Sequence, residues 1–300
     1  MEMVSPLRAA VGIMAYNEGA AIAASVQSVL AQQGPHVDLA RVTVVASGCT
    51  DDTVPQAQAT GGADPRFQLL VQARREGKAA AITALLESLQ DEDPVVLVGG
   101  DTVLPAGSLE ALLAPFDDPQ VGMAGGHPQP VNERSSLIGR VVHLLWELHH
   151  QVALQSPKLG ELVAFRRVLS QVPRETAVDE AEIEALVRRQ GLHLVYAPDA
   201  LVRMRGPATL SDFLSQRRRI HAGHLQLRSR QGYRVSTMSS SHILPPIWRT
   251  WRQGGASAGT IAAAMVMESW ARLLGWWDAR IIHRDHSTWD RIASTKDIAP

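Results

Sequence analysis

The apolar residues of the first half of the chain fall in short runs separated by segments of helical period. Ala10–Ala15 predicts a buried strand, and Glu18–Gln32 predicts a helix with Asn17 as its N-cap. Val42–Ala46, Phe67–Val71 and Val95–Val98 predict further strands, with helices over Asp51–Ala59 and Lys78–Leu89 between them. Such alternation predicts an α/β fold with a mostly parallel sheet covered by helices on both faces. Ligands of these sheets bind beyond the carboxyl ends of the strands. The loops of interest are therefore Tyr16-Asn17-Glu18, Ser47–Asp52, Arg74–Lys78 and Asp101-Thr102.

The second half is patterned differently. Ser136–Gln151 predicts a helix with Leu145 and Trp146 on its apolar face. Gly160–Arg167 fits a strand or a loop leading into a helix, and Glu180–Arg189 a helix stopped by Gly191. Leu194–Tyr196 and Leu201–Met204 predict strands, Leu210–Arg230 a long basic helix and Ser236–Ser241 a mobile loop. The last helix, Ile261–Ile281, carries Val266, Trp270, Leu273 and Trp277 on one stripe and an i, i+4 pair, Glu268 and Arg272, on another. It fits a peripheral helix in a bilayer surface, meeting a lipid-linked acceptor, or a helix packed on the catalytic domain or on the partner in a homodimer.

With 300 residues, 45% apolar and 20% charged, the composition is that of a globular chain and excludes wholesale disorder. A formal net charge of −1 predicts no strong overall attraction to nucleic acid or membrane. Leu201–Arg252 departs from this balance: ten Arg, no Lys and the single acid Asp212 give +9, which points to a local anionic partner. The one cysteine, Cys49, excludes an internal disulfide and a cysteine-based zinc cluster, and fits a reducing compartment. Met1–Ala10 has no long apolar run, so no secretory signal is expected. The uncharged stretch between Arg252 and Glu268 is shorter than the roughly 20 residues of a spanning helix. These features predict a cytoplasmic protein, or one peripheral on the inner face of the cell membrane through 261–281.

Several residues carry candidate chemistry. Asp101 follows a buried strand and fits either a divalent-cation carboxylate or a cap for the next turn with Thr102. Gly77-Lys78, after Arg74 and Arg75, suits a pyrophosphate at a helix start or a solvated basic turn, and is not a Walker loop. Asp179-Glu180 opens a helix, where acids complement the dipole and where one could act as general base. Arg217-Arg218-Arg219 cannot share one helix face, so some must point to solvent while one could meet a phosphate. Few aromatics are interleaved there, which argues against a nucleic-acid patch. His149 and His150 face apart on a helix and are poorly placed to share a metal.

Taken in order, these segments resemble the family 2 glycosyltransferases. The resemblance rests on VGIMAYNEGAAIAASVQSVLAQ (11–32), VVASGCTDDT (44–53), REGKAA (75–80), LVGGDT (97–102), GELVAFRR (160–167), Asp179-Glu180 and QRRRI (216–220). It implies a GT-A (Rossmann-like) fold with a catalytic domain over 1–234, a nucleotide half of about 8–130, an acceptor half of about 131–234 and a C-terminal helical extension over 235–300. It implies an inverting, hexosyltransferase-like enzyme that uses a nucleoside-diphosphate sugar, a hydroxyl acceptor and Mg²⁺ or Mn²⁺. Tyr16 and Glu18 would lie at the nucleobase and ribose, Lys78 near the pyrophosphate and Asp101 on the metal, with Asn17, Ser47 and Gly100 as further donor-binding residues. Gln216 and Arg219 would hold donor phosphates, with Glu180 as base and Asp179 as the fallback.

The chain departs from the family pattern at four places. Ser47 stands where an Asp usually reads uracil, which leaves the base of the donor open. Gly99 replaces the first acid of Asp-x-Asp, Asp179-Glu180 reverses the usual Glu-Asp order, and Ile220 replaces a Trp. Two other readings remain. One is a nucleotide-sugar-binding protein with a degenerate site. The other is a nucleotidyltransferase, disfavoured because Asn17-Glu18 replaces the Gly-rich loop of that class.

Overall fold

The computed structural model describes residues 6–238, 240–284 and 293–295. Five strands come first along the chain: β1 (Leu7–Ala15), β2 (Val37–Ser47), β3 (Phe67–Gln72), β4 (Val95–Gly99) and β5 (Thr102–Val103). β6 (Val121–Pro130), β7 (Leu162–Phe165) and β8 (His193–Met204) complete one sheet of order β3-β2-β1-β4-β7-β6-β8-β5. β3, β2, β1 and β4 are mutually parallel, as are β6 and β8, while β7 runs antiparallel to both β4 and β6. The sheet runs unbroken through both expected halves of the catalytic region.

Helices α1 (Ile22–Leu30), α2 (Thr53–Gly61), α3 (Lys78–Ser88) and α4 (Ser108–Leu113) follow the early strands. Alternate residues of β1 enter opposite cores, which is why its apolar run is continuous. Val11 and Ile13 pack with Val26 and Leu109 on one face, whereas Ala10 and Met14 pack with Ile82 and Leu85 on the other.

α5 (Leu137–Ala153), α6 (Asp179–Arg189), α7 (Leu210–Gln231), α8 (Ser240–Arg252) and α9 (Ala258–Trp277) follow in the second half. A third core joins Val141 and Leu148 of α5, Phe213 of α7, and Ala264 and Met267 of α9. α7 and α9 approach closely at Gly275, where a Cβ would stand 2.6 Å from the Arg218 carbonyl oxygen.

The structure departs from the sequence expectations at several points. α1 begins at Ile22, and Asn17 is not its cap. Asn17 adopts φ 54°, and its side-chain oxygen accepts the Thr50 amide at 2.8 Å, tying the first two loops together. β8 is one strand rather than two. The expected loop over 236–241 holds a 3-10 turn, Ser236–Met238, and the start of α8, with Ser239 outside the described residues. Residues 1–5 of the N-terminal segment and 285–292 and 296–300 of the extension also lie outside them.

Nor are the arginines that turn away from Arg219 left to solvent. Arg217 pairs with Glu268 of α9, and Arg218 forms a bidentate pair with Asp278 at 2.5 Å, because α9 covers that side of α7. Asp278 is fully buried. Removing one partner of a buried, bidentate pair leaves a stranded charge and typically costs about 3–5 kcal/mol. We expect a stability loss of that order for Asp278→Ala, read from the urea midpoint. A loss below about 1 kcal/mol would show that the pair is dispensable.

Candidate active site

The carboxyl ends of β1, β2 and β4 meet at one edge of the sheet, and the antiparallel β7 begins there. One residue beyond the paired Val98 and Leu162 stand Gly99 on β4 and Glu161 ahead of β7. The edge opens into a cavity of about 640 Å³ that continues between α5, α7, α8 and α9. Tyr16, Glu18 and Ser47 line its sheet end, with Asp101 and Lys78 beside them. Asp179, Glu180, Gln216 and Arg219 line the same cavity from α6 and α7.

Asn17 and Gly100 do not contribute to the wall. Asn17 is committed to the Thr50 loop. Gly100 donates its amide to Met14 at 2.9 Å and packs beneath Glu18, where a Cβ would stand 3.1 Å from Glu18 Cγ. Ser47 closes the base of the site, accepting the Glu76 amide at 3.4 Å. The Arg75 guanidinium lies 3.8 Å over the Tyr16 ring, covering the face expected to meet a nucleobase.

The turn at Asp101 is closed by Thr102, whose hydroxyl donates to the Gly99 carbonyl at 2.9 Å. Gly99 gives the Asp101 carboxylate room to fold back, since a Cβ there would lie 2.8 Å from Asp101 Oδ1. The missing first acid of the motif and the orientation of the second are therefore linked.

Lys78 heads α3 and forms an ion pair with Glu180 in the first turn of α6. Burial opposes both charges, and their mutual attraction overrides it. Lys78 is held above the usual lysine range by Glu180 and then Asp179. Glu180 is pulled down to about 2 by Lys78. Asp179 moves the other way, to about 7, because burial and the neighbouring Glu180 charge outweigh Lys78. One of its carboxylate oxygens is buried without a hydrogen-bond partner. The adjacent acids are thus driven apart: Glu180 is held ionised, and Asp179 is pushed toward its protonated form.

Arg219 donates to the Ala177 carbonyl at 3.2 Å. Burial lowers it to about 10, against the pull of Asp179, Glu180 and Glu161.

Sequence reasoning missed Glu161. Its segment was visible, but only the antiparallel sense of β7 brings the start of that strand to the ligand edge. Glu161 lines the cavity at φ 62°, and burial reinforced by Glu180 raises it to about 7. Glu184 fixes the loop behind it by accepting the Leu159 amide at 2.7 Å and the Tyr233 hydroxyl at 2.8 Å.

The expectation that His149 and His150 face apart agrees with the structure. His150 stacks on His127 at 4.0 Å and bonds Tyr196 at 2.8 Å, while His149 turns to the cavity against the edge of Trp146. His221 and His224 of α7 line the cavity nearby.

Residues 6–223 match Glycosyltransferase like family 2, and the chain belongs to that family. No curated protein sequence matches it. Among solved structures, it is similar to a mannosyltransferase, PcManGT from Pyrobaculum calidifontis, in complex with GDP-Man and Mn²⁺. That match has 18% identity and a TM-score of 0.66, and covers 94% of this chain and 90% of the other. It is also similar to glucosyl-3-phosphoglycerate synthase from Mycobacterium tuberculosis in complex with Mn²⁺, UDP-Glc and glycerol 3-phosphate. Here identity is 21% and the TM-score 0.51, over 75% of this chain and 80% of the other. A second structure of that synthase, with Mg²⁺ and UDP, matches at 22% identity and a TM-score of 0.52, over 75% and 79%. The fold is GT-A, with C-terminal helices added to the sheet domain.

The histidines carry a pH signature. Burial, reinforced by nearby cations, lowers His149 to about 3, His221 to about 4 and His224 well below its ordinary 6.5. The unfolded chain therefore takes up these protons first. Their neutral burial is fully favourable above about pH 6.5 and loses ground as pH falls, by up to about 1.4 kcal/mol per unit for each group. Asp179 and Glu161, raised to about 7, act in the opposite sense over this range, so the comparison of variants carries the test: on going from pH 7 to 5 the melting temperature of the parent chain should change less favourably than that of His149→Gln. Identical slopes would show that His149 is not one of the groups responsible.

Proposed function

We propose that the chain is an inverting glycosyltransferase that moves a sugar from a nucleoside-diphosphate donor to an acceptor hydroxyl. The observation that carries this reading is that Asp101, Lys78, Glu180 and Arg219, drawn from four separate elements, line one cavity at the ligand edge of the sheet. Family membership supplies the reaction class.

In this mechanism the donor diphosphate lies between Lys78 and Arg219, with its nucleoside toward Tyr16, Glu18 and Ser47. As Lys78 turns to the diphosphate, Glu180 loses the cation that suppresses its basicity, so its proton affinity rises when the donor is in place. The acceptor oxygen attacks the anomeric carbon from the face opposite the diphosphate. The C–O bond to the leaving group breaks, and Glu180 accepts the acceptor's proton. Lys78 and Arg219 stabilise the charge that develops on the leaving diphosphate.

The donor atoms suit Mg²⁺ or Mn²⁺, which prefer carboxylate, phosphate and water oxygens. Asp101 would hold the ion, and Glu161 faces the same cavity. Among the described residues no group of three His, Cys, Asp or Glu side chains is placed to bind a metal. The ion would then take its other ligands from the diphosphate and water. When bound, it neutralises charge on the leaving group.

The absence of the first acid at Gly99 favours one rival, a nucleotide-sugar binder without transfer activity. Assays of UDP- and GDP-sugars with Mn²⁺ or Mg²⁺ separate the two readings. A transferase releases sugar, or passes it to an added acceptor, in a metal-dependent way; a binder shows a ligand-induced rise in melting temperature and no release. In the transferase, Asp101→Ala and Glu180→Gln each lower turnover by at least about 10²–10³ without loss of folding. Near-normal turnover in either variant would remove that residue from the mechanism.

A further inference from the structure

The C-terminal helices hold most of the large apolar side chains that the described residues leave in solvent. On α9, Val266 is 69% exposed, Trp270 54%, Leu273 52% and Trp277 49%. The opposite face of the same helix, with Ala264, Met267 and Ala271, is buried. Trp248 and Trp251 of α8 add 57% and 46%. The stripe expected from the sequence is thus the face that α9 leaves uncovered after packing on α5 and α7.

Charge says what this face fits. Between residues 240 and 284 the only acids are Glu268 and Asp278, at 13% and 0% exposure, and arginines close both of them. Arg249, Arg252, Arg280 and Arg284 are exposed. Among the described residues of 240–284, the surface therefore combines tryptophans and aliphatics with cations and presents no exposed acid; Glu147 of α5 is an exposed acid at its margin, joined to Thr250 through Gln151. In a symmetric dimer through this face, each subunit would set the same arginines against their copies. An anionic bilayer offers the opposite sign, and tryptophan favours the headgroup level. No described helix is long and apolar enough to cross a membrane, so the contact would be peripheral.

The cavity also reaches this region. Leu244 and Ile247 of α8 and Met265 and Arg272 of α9 form part of its wall. We propose that α8 and α9 form a docking face for an anionic lipid surface, which sets this wall of the cavity against the bilayer. The inference is independent of the donor and of the reaction.

Flotation of the full chain with phosphatidylcholine vesicles, with and without phosphatidylglycerol, tests it. The chain should float with the phosphatidylglycerol vesicles and be released as salt is raised. Trp270→Glu combined with Trp277→Glu should cut the bound fraction about tenfold. Arg249→Gln with Arg280→Gln, confined to the surface, should cut it about fivefold. Val71→Glu, on the exposed edge strand β3, should leave it unchanged. Three results would overturn the proposal: no flotation with anionic vesicles, binding indifferent to the tryptophan and arginine changes, or a homodimer in light scattering that Trp270→Glu dissociates.

Discussion

Lys78 and Glu180 reach one point from opposite halves of the chain, at the first turns of α3 and α6. Their pairing sets the electrostatics of the whole cavity. At an effective dielectric near 20, unit charges about 4 Å apart attract by about 4 kcal/mol. That is comparable to the several kcal/mol needed to take each ion out of water. Desolvation thus offsets much of what the pair contributes to stability, although the attraction still keeps both groups charged. The pair is a contact that a doubly charged diphosphate can replace without disturbing the fold. It also separates the neighbouring acids, favouring the ionised form of Glu180 while burial and the Glu180 charge favour the protonated form of Asp179.

The surrounding architecture serves that convergence. Parallel strands deliver Tyr16, Ser47 and Asp101 to a common edge, and the reversed β7 adds Glu161. α7 presents Gln216 and Arg219 to the cavity while Arg217 and Arg218 grip α9 and the turn after it. One run of basic residues therefore links the site to the C-terminal helices. A change in how α9 seats would be felt one residue away from a phosphate-binding candidate.

The nucleotide half was largely legible in the sequence because buried parallel strands leave unbroken apolar runs and helices leave a clear 3.6-residue period. β6 was not, since Val121–Pro130 holds three glycines and two prolines and looks like a turn. The structure tolerates Pro128 and Pro130 because β7 is short and pairs only with Met123–Gly125, so the β7 side of the strand is unpaired at the prolines while pairing with β8 continues past them. α8 was missed because Pro245-Pro246 is a helix-breaking signal. Glu161 could not be assigned because strand direction is a property of the sheet, not of the local sequence. The split of the arginines likewise depends on α9 packing over α7, a long-range contact that helix periodicity does not contain.

The most direct measurement is a crystal structure of the chain with Mn²⁺ and a nucleoside diphosphate. The account predicts the Lys78 ammonium on a diphosphate oxygen, the Glu180 carboxylate released from it, and Asp101 on the ion. A diphosphate bound elsewhere, with Lys78 and Glu180 still paired, would contradict it.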